Sequence, residues 1–380
     1  MKYIDMHCDT IREVWKSRLR GDKDSLRENN HMIDLLRMKD GDCLCQNLGI
    51  YINLREPLHY SGRDDTEEGR REAEQGLFMD PWEQEQAIAQ VFLDEVSKNS
   101  DLVGLARSGS EIRKNLSDGK MSVMMTIEDG GCCKGSIEHL HTMYEQGARM
   151  MTLTWNFENE LGYPNYPDGD HYFEFPHYRC ASASDSGCGE GAEQGGLVSE
   201  AGTWYGDGTK GLKQRGFEFL EEMQRIGMIV DVSHLSDAGF YDVCRTVKGP
   251  FVASHSNARS LCGCGRDLTD DMLRKIAEHG GVTGINMEAE FLVPDHHAKR
   301  TAEAVARHAR HIADAAGVDV LGFGTDFDGI SCCDGDEFGE PGARTEELLI
   351  DAFRKQGFSM DEIEKIFYKN VLRVYDEILG

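Results

Sequence analysis

The sequence has no long apolar run and few basic residues relative to acidic ones. No stretch of its 380 residues approaches the roughly 18 consecutive apolar residues that suggest a transmembrane helix. The 41 Lys and Arg residues stand against 68 Asp and Glu residues, and the formal net charge is −27. Such a charge argues against nucleic acid or an anionic membrane as a partner. We therefore expect neither partner and attribute the charge to solubility.

We also expect neither a secretory signal nor a cysteine-based zinc site. The opening residues, MKYIDMHCDT, lead directly into the first apolar run without the apolar core of a signal peptide. The 12 cysteines are dispersed, and the spacings Cys43-x-Cys45 and Cys262-x-Cys264 lack the C-x2-C pattern of a zinc ribbon. We therefore expect reduced thiols and a cytoplasmic location.

Eight short apolar runs alternate with helical patterns along the chain. Apolar runs of this length are typical of buried strands, and a helical repeat is clearest in residues 211–226. Strand–helix alternation repeated eight times predicts a (β/α)8 TIM barrel in the α/β class. The predicted strands are residues 3–7, 44–52, 121–128, 149–155, 227–234, 250–255, 281–287 and 320–326.

Two polar segments interrupt this alternation. Residues 54–83 are strongly charged, and residues 156–210 are rich in Gly, Ser, Asp and Tyr. Loops of this length are uncommon in compact domains and often serve as lids or binding loops. We predict a single barrel domain, residues 1–380, that carries both segments as insertions. Disordered decoration is the alternative for each segment.

Acidic and imidazole side chains stand at the C-terminal ends of several of these runs. Active sites of α/β barrels lie at this end of the strands. Histidines combined with carboxylates are ligands suited to zinc or a similar divalent ion. The pattern predicts a metal-dependent hydrolase of the amidohydrolase-like type, with candidate residues His7, Asp9, Glu128, His234, His255, Asp326 and Asp328.

The spacing of these residues supports their convergence. His7 and Asp9 are two residues apart, which in an extended strand places both on one face. Glu128 has two oxygens that can bridge two ions, and the following DGG sequence allows a close turn. His234 and His255 end consecutive predicted strands, so they can chelate one ion. Taken alone, each histidine could instead be structural and the glutamate an exposed turn residue.

Three aspartates receive different interpretations. Asp326 ends the eighth predicted strand, where it could take the proton of an attacking water and deliver it to a leaving amine. Asp328 is interpreted as a loop residue because Gly329 indicates that the chain is already turning. Asp231 precedes His234 by three residues, on the opposite face, and is interpreted as structural or as a support for the ligands.

In this order the motifs resemble the membrane (renal-type) dipeptidases, the M19 family of metallopeptidases, in a soluble, bacterial-type form. The resemblance runs from IDMHCDT through TIEDGG, MMTLTW, MIVDVSHLS, ASHSNAR, GRDLTDDML and GFGTDFDG to EIEKIFYKNVLRV. It implies a zinc-dependent enzyme that hydrolyses dipeptides, including those with a C-terminal D-residue. It also leaves a homodimer as an option.

The resemblance assigns the metal ligands residue by residue. It implies two Zn²⁺ ions per chain, one held by His7 and Asp9 and the other by His234 and His255. Glu128 would bridge the two ions and so take part in catalysis.

The resemblance also implies residues that contact the substrate. Arg266 matches the arginine that binds the substrate carboxylate, and Asp326 matches the catalytic aspartate. Trp155 is a departure, because the best-known members of the family have a histidine there that contacts substrate. An indole has only one N–H to donate and fills more space, so we expect metal binding to survive and substrate preference to change.

Two other functions remain open from the sequence. A related barrel hydrolase could act on lactones, cyclic amides or phosphotriesters, although many of these use a carboxylated lysine where this chain has Glu128. A non-catalytic metal-binding homologue is the second alternative. Metal analysis with a panel of dipeptides would separate the three.

Overall fold

The structure, a computed structural model, describes residues 1–54, 79–165, 209–293, 300–330, 337–338 and 343–380. Within these residues, eight parallel strands close a barrel in the order β1, β2, β4, β5, β6, β7, β8 and β9, and β9 pairs with β1. The predicted (β/α)8 TIM barrel is therefore confirmed. The strands are β1 Tyr3–Asp5, β2 Cys43–Tyr51, β3 Val103–Leu105, β4 Met121–Glu128, β5 Ala148–Thr152, β6 Ile229–Asp231, β7 Val252–Ala253, β8 Val282–Ile285 and β9 Leu321–Phe323.

The helices surround this barrel, and many of them begin at polar caps. Ser136, Thr269 and Thr301, for example, each accept a hydrogen bond from a backbone N–H in the first helical turn. The helices are α1 Thr10–Arg20, α2 Leu35–Asp40, α3 Pro81–Lys98, α4 Gly109–Ser117, α5 Ile137–Gln146, α6 Gln214–Ile226, α7 Asp237–Thr246, α8 Arg259–Cys262, α9 Asp270–Glu278, α10 Ala289–Leu292, α11 Ala302–Ala316, α12 Ala343–Lys355, α13 Met360–Glu364 and α14 Asn370–Leu379. The sequence patterns did not predict α1, α2, α4 or the short helices α8 and α10.

Most strands are shorter than predicted, and they end before the candidate ligands. Among the strands that lead to a candidate ligand, the exception is β4, whose observed range of Met121–Glu128 matches the prediction. His234 and Asp326 lie three residues beyond β6 and β9 and have left-handed backbone angles, with φ of 67° and 62°. Such angles cannot belong to a strand ladder, and non-glycine residues adopt them mainly at sites where surrounding contacts stabilise them. The additional strand β3 pairs with the start of β4.

Both predicted insertions fall largely outside the described residues, and the single-domain interpretation stays a prediction. Only their ends are described, at residue 54, residues 79–83, 156–165 and 209–210. In the part of the chain that the structure describes, no helix combines the length and apolar character needed to cross a membrane. The cysteines described there are free thiols.

Glu85 on α3 is a buried acid distant in sequence from the candidate ligands. Its side chain is fully buried, one carboxylate oxygen accepts a hydrogen bond of 2.6 Å from Gln86, and the other has no partner. Burial, opposed in part by that bond, raises the pKa of Glu85 from 4.5 to about 7. The folded protein therefore binds this proton more tightly than the unfolded chain does. This favourable contribution is present in full below pH 4.5 and is lost as the pH rises through 7.

We expect Glu85→Gln to stabilise the protein at pH 8 and to have little effect at pH 4. A shift from 4.5 to about 7 corresponds to about 3 kcal/mol, which is the upper bound for the gain. Urea unfolding at both pH values measures it. Asp94→Asn, at an exposed position of the same helix, serves as the control and should show no such pH dependence. An equal effect of Glu85→Gln at both pH values would contradict the shifted pKa.

Candidate metal centre and active site

Five of the predicted ligands meet inside the C-terminal mouth of the barrel. His7, Asp9, Glu128, His234 and His255 are all buried. Together with Asp326 they form three overlapping groups whose potential ligand atoms lie within 4.8 Å of one another. These groups are His7 with His255 and Asp326, Glu128 with His234 and His255, and His7 with Asp9 and Glu128.

Glu128, the last residue of β4, lies between the imidazoles. Its Oε1 is 3.0 Å from His234 Nε2 and 3.4 Å from His255 Nε2. Its Oε2 is 3.4 Å from His7 Nε2. Each carboxylate oxygen therefore faces a different part of the cluster, which is the arrangement that a bridging ligand requires.

His7 and Asp9 converge by a different route from the one predicted. β1 ends at Asp5, and Asp9 is the residue before α1, with φ −101° and ψ 8°. The two side chains are therefore not on one face of an extended strand. The chain turns into the helix instead, and this turn places Asp9 Oδ1 3.7 Å from His7 Nε2.

Two buried polar atoms of the cluster make no hydrogen bond among the described residues. His7 Nε2 and Asp9 Oδ1 are buried without a hydrogen bond. His234 Nε2 lies 2.9 Å from His255 Nε2, while His234 Nδ1 donates to Asn156 Oδ1 at 2.8 Å. With its proton on Nδ1, His234 directs a lone pair from Nε2 into the cluster. Buried polar atoms are normally satisfied, so these residues fit a divalent cation bound among them.

Burial and charge act against each other in this cluster. Burial opposes a charge on His7, but the neighbouring carboxylates, Glu128 first, raise its pKa from 6.5 to about 10. Burial, together with the charge of Arg266, lowers the pKa of His234 to about 3. Burial, together with His7, also lowers the pKa of His255. The neutral imidazoles of His234 and His255 are in the form that binds a metal.

Asp326 lies beside the cluster and is held through one oxygen. Its Oδ2 accepts a hydrogen bond of 2.8 Å from Asn286, and its Oδ1 is 3.7 Å from His7 Nε2. Burial, offset in part by His7 and reinforced by Glu128, raises the pKa of Asp326 to about 6. A carboxyl group with this pKa can accept and release a proton near neutral pH. A Cβ at Gly329 would overlap both Asp326 and Asp9, so the close turn requires glycine there.

Asp328 does not join the cluster, in line with its interpretation as a loop residue. Its carboxylate accepts hydrogen bonds of 2.5 Å from Thr10 Oγ1 and from Met32 N. It therefore ties the loop after β9 to the start of α1.

Arg266 is buried next to the imidazole cluster. Its Nη1 donates to Ser256 Oγ at 3.1 Å, and its Nη2 donates to His255 O at 3.1 Å and lies 3.0 Å from His234 Nε2. Its Nε is buried without a partner, and the guanidinium carbon is 5.4 Å from the ring of Phe291. A buried cation with an unpaired N–H beside the cluster suits a carboxylate of a ligand.

Trp155 packs in a small aromatic group that borders the cluster. Its ring centroid is 4.8 Å from Tyr51, 5.5 Å from Phe157 and 6.1 Å from His234. The side chain is 9% exposed, so the indole both fills space and lies next to a predicted ligand. Its burial adds a stability contribution that the sequence alone did not predict.

We expect Trp155→His to retain bound metal and to change kcat or substrate range. The smaller ring also leaves a void, so the melting temperature should fall by a few degrees. Melting curves and a dipeptide panel measure the two effects. Phe157→Leu is the matched control, because it loosens the same aromatic group and should lower the melting temperature with little change in preference. Unchanged kinetics for Trp155→His together with a large thermal loss would make Trp155 a purely structural residue.

Three residues that support the cluster were not predicted. Asn156 accepts from His234, Asn286 donates to Asp326, and Ser254 lies 2.6 Å from His255 Nδ1. Each lies within one residue of the end of a predicted strand, so the rule that selected the ligands also applied to them. Their neutral side chains did not suggest metal ligation, which is why the sequence interpretation passed over them. The predicted supporting role of Asp231 agrees with its position, since it bonds to Ser254.

A closed parallel barrel with a buried cluster of histidines and carboxylates at its C-terminal mouth defines a metal-dependent hydrolase barrel. The sequence model of the membrane dipeptidase family, peptidase family M19, matches residues 1–169 and 193–379. The chain belongs to this family. It is a metallo-dipeptidase, as the sequence predicted, and the family implies a divalent metal.

Individual relatives agree with this assignment. An uncharacterized dipeptidase of Schizosaccharomyces pombe is 26% identical over 342 residues, which cover 90% of this chain and 71% of that protein. A metallo peptidase from Rhodobacter sphaeroides, solved with a phosphinate mimic of the dipeptide L-Ala-D-Ala, has a TM-score of 0.74 at 23% identity. A dipeptidase AC of family M19 has a TM-score of 0.73 at 23% identity. Each structural match covers 100% of this chain and 99% of the other, and at this identity the two show the fold.

Proposed function

We propose that the chain is a binuclear zinc dipeptidase that accepts dipeptides with a C-terminal D-residue. The observation that carries this proposal is the position of Glu128, whose two oxygens face His234 and His255 on one side and His7 on the other. One ion would be held by His7 and Asp9, the second by His234 and His255, with Glu128 between them. The L-Ala-D-Ala mimic bound by the Rhodobacter sphaeroides peptidase supports the stereochemical part.

Each residue then has a defined task. Bound divalent ions would supply the electrophile and the acidity that allow a water to attack an amide carbonyl at neutral pH. Asp326 would take the water proton at Oδ1 and deliver it to the leaving amine, while Asn286 holds Oδ2. Arg266 would bind the substrate carboxylate and so favour substrates that end one residue after the scissile bond.

A reconstitution experiment tests the proposal. Protein stripped of metal with a chelator is expected to bind two equivalents of Zn²⁺ and to recover hydrolysis of L-Ala-L-Ala and L-Ala-D-Ala. Zinc binding with hydrolysis of a lactone or phosphotriester only would favour the related-hydrolase alternative. Zinc binding without any hydrolysis would favour the non-catalytic homologue, and a single equivalent would contradict the bridging role of Glu128.

Arg266→Lys is expected to raise KM for dipeptides strongly while kcat changes less. A lysine ammonium is a point charge and cannot form the planar two-bond contact with a carboxylate. Steady-state kinetics on dipeptides and on their C-terminal amides measure this, because the amide lacks the charged partner. If wild-type protein cleaves the amides as well as the free dipeptides, Arg266 does not bind the carboxylate.

A further inference from the structure

Ser254, which is hydrogen-bonded to Asp231, contacts His255 at the ring nitrogen that does not face Glu128. Ser254 Oγ is 2.6 Å from His255 Nδ1 and also donates to Asp231 Oδ2. Asp231 Oδ1 accepts backbone hydrogen bonds from Ser233 at 3.0 Å and from Ser254 at 2.8 Å. Asp231 and Ser254 are both buried, so water does not compete with this chain of contacts.

The single hydroxyl proton of Ser254 determines which ring nitrogen of His255 carries a hydrogen. A serine hydroxyl has one proton, and that of Ser254 points to the carboxylate of Asp231. The Ser254 oxygen must therefore accept a hydrogen bond from His255 Nδ1–H. This tautomer leaves the lone pair on His255 Nε2, which is 3.4 Å from Glu128 Oε1.

We propose that Asp231 and Ser254 are positioning residues that hold His255 in the tautomer whose Nε2 can bind a metal ion. The inference rests on the proposed function, because it takes His255 as a ligand, and it adds two residues that do not touch the metal. In the opposite tautomer, an N–H on Nε2 would point towards Glu128. That hydrogen would bond to the carboxylate and remove the lone pair that the ion requires.

The barrel contains a second aspartate in a matching arrangement without an imidazole. Asp5 Oδ1 accepts backbone hydrogen bonds from His7 at 3.2 Å and Thr325 at 2.9 Å, and Asp5 Oδ2 accepts from Thr325 Oγ1 at 2.6 Å. Thr325 directly precedes Asp326, as Ser254 directly precedes His255. Within the described residues, the Thr325 hydroxyl also accepts a hydrogen bond from Phe327 N. Asp5 therefore ties two strand ends together without acting on a histidine tautomer, which makes it a matched control.

The variant Asp231→Asn reverses the chain of hydrogen bonds. If the amide oxygen keeps the two backbone bonds, the amide nitrogen becomes a donor to Ser254 Oγ. The Ser254 proton then turns to His255 Nδ1, which at 2.6 Å is a nearer acceptor than Ser233 Oγ at 3.3 Å, and the imidazole hydrogen moves to Nε2. Ser254→Ala is a second variant with a smaller change. It removes the hydroxyl, so that residue 254 no longer favours either tautomer of His255. Asp5→Asn makes the same buried substitution in a series of hydrogen bonds that includes no imidazole.

Two measurements on the full-length chain test the proposal. Long-range proton–nitrogen NMR spectra of histidine-labelled, metal-stripped protein report the His255 tautomer, and competition with a chelator reports the affinity for Zn²⁺. We expect wild type and Asp5→Asn to show Nδ1–H, and Asp231→Asn to show Nε2–H. Loss of such a supporting partner typically weakens metal affinity about 10- to 100-fold. We expect that loss for Asp231→Asn, a smaller one for Ser254→Ala, and affinity near that of wild type for Asp5→Asn.

The outcomes separate this inference from the proposed function. Wild-type zinc affinity and an Nδ1–H tautomer in Asp231→Asn would overturn the inference alone. Equal losses in Asp231→Asn and Asp5→Asn would also overturn it, because they would point to a general effect on the strand ends. If wild type binds no zinc, both the inference and the proposed function fail. Should Asp231→Asn not fold, the tautomer and affinity of Ser254→Ala decide the question.

Discussion

Replacing Glu128 by Gln is expected to remove bound metal and hydrolysis together. One carboxylate faces three imidazoles here, with oxygen–nitrogen distances of 3.0 to 3.4 Å. An amide has no charge to offset the ions, and its N–H donates to an imidazole lone pair that the metal requires. We expect metal affinity to fall by more than about 100-fold, beyond the loss typical of an outer supporting residue. Elemental analysis after gel filtration and a dipeptide assay measure both effects.

The adjacent carboxylate supplies the control for this variant. Asp129 Oδ1 accepts hydrogen bonds from Gly131 N at 2.9 Å and from Asn159 Nδ2 at 2.8 Å. Its φ of 80° is one that asparagine tolerates well. Asp129→Asn should therefore keep the metal and most of the activity. Full metal content and turnover in Glu128→Gln would show that the bridge assigned to Glu128 is wrong.

Replacing Asp326 by Asn is expected to lower kcat by about 10²- to 10⁴-fold, the range that proton transfer by a positioned side chain supplies. The amide keeps the shape of the carboxylate but cannot carry a proton from the water to the leaving amine. Because one oxygen of Asp326 accepts a hydrogen bond from Asn286, the substitution Asp326→Asn should leave KM and metal content nearly unchanged. Pre-steady-state and steady-state kinetics on the zinc-loaded protein, with parallel metal analysis, measure these quantities.

Asp328→Asn is the matched control for Asp326, two residues away in the same loop. Its carboxylate bonds to Thr10 and Met32 instead of facing the imidazoles. We expect it to lower the melting temperature while kcat remains close to that of wild type. If Asp326→Asn retained wild-type kcat, or lost activity only because it lost metal, the proton-transfer role would have to be abandoned.

The convergence of the candidate ligands was predictable because it depends on a simple rule of barrel construction. Parallel strands all end at the same mouth, so polar residues after separate apolar runs must approach one another. His7, Glu128, His234, His255 and Asp326 follow this rule. The prediction required only the ends of the apolar runs, which local hydrophobicity marks well.

The positions of the strand ends were less predictable. Five of the predicted strands included a residue that lies in the cluster. Of the five corresponding strands in the structure, only β4 still includes its cluster residue, Glu128. His234 and Asp326 have left-handed backbone angles. His234 O accepts a hydrogen bond from Asn165 N, and Asp326 N donates one to His7 O, so parts of the chain distant in sequence stabilise these angles and no local pattern predicts them. The convergence of Asp9 likewise depends on the turn into α1, which the sequence patterns did not predict.

By itself, the sequence determined the barrel, the family and the set of ionisable residues at the mouth, because apolar periodicity and the order of motifs are properties of the chain. Only the tertiary structure decided which neutral side chains complete that set. Asn156, Ser254 and Asn286 come from three separate parts of the chain and act through single hydrogen bonds to His234, His255 and Asp326. A hydrogen bond depends on distances of a few tenths of an ångström and on which atom holds the proton, and these are set by the packing of the whole barrel.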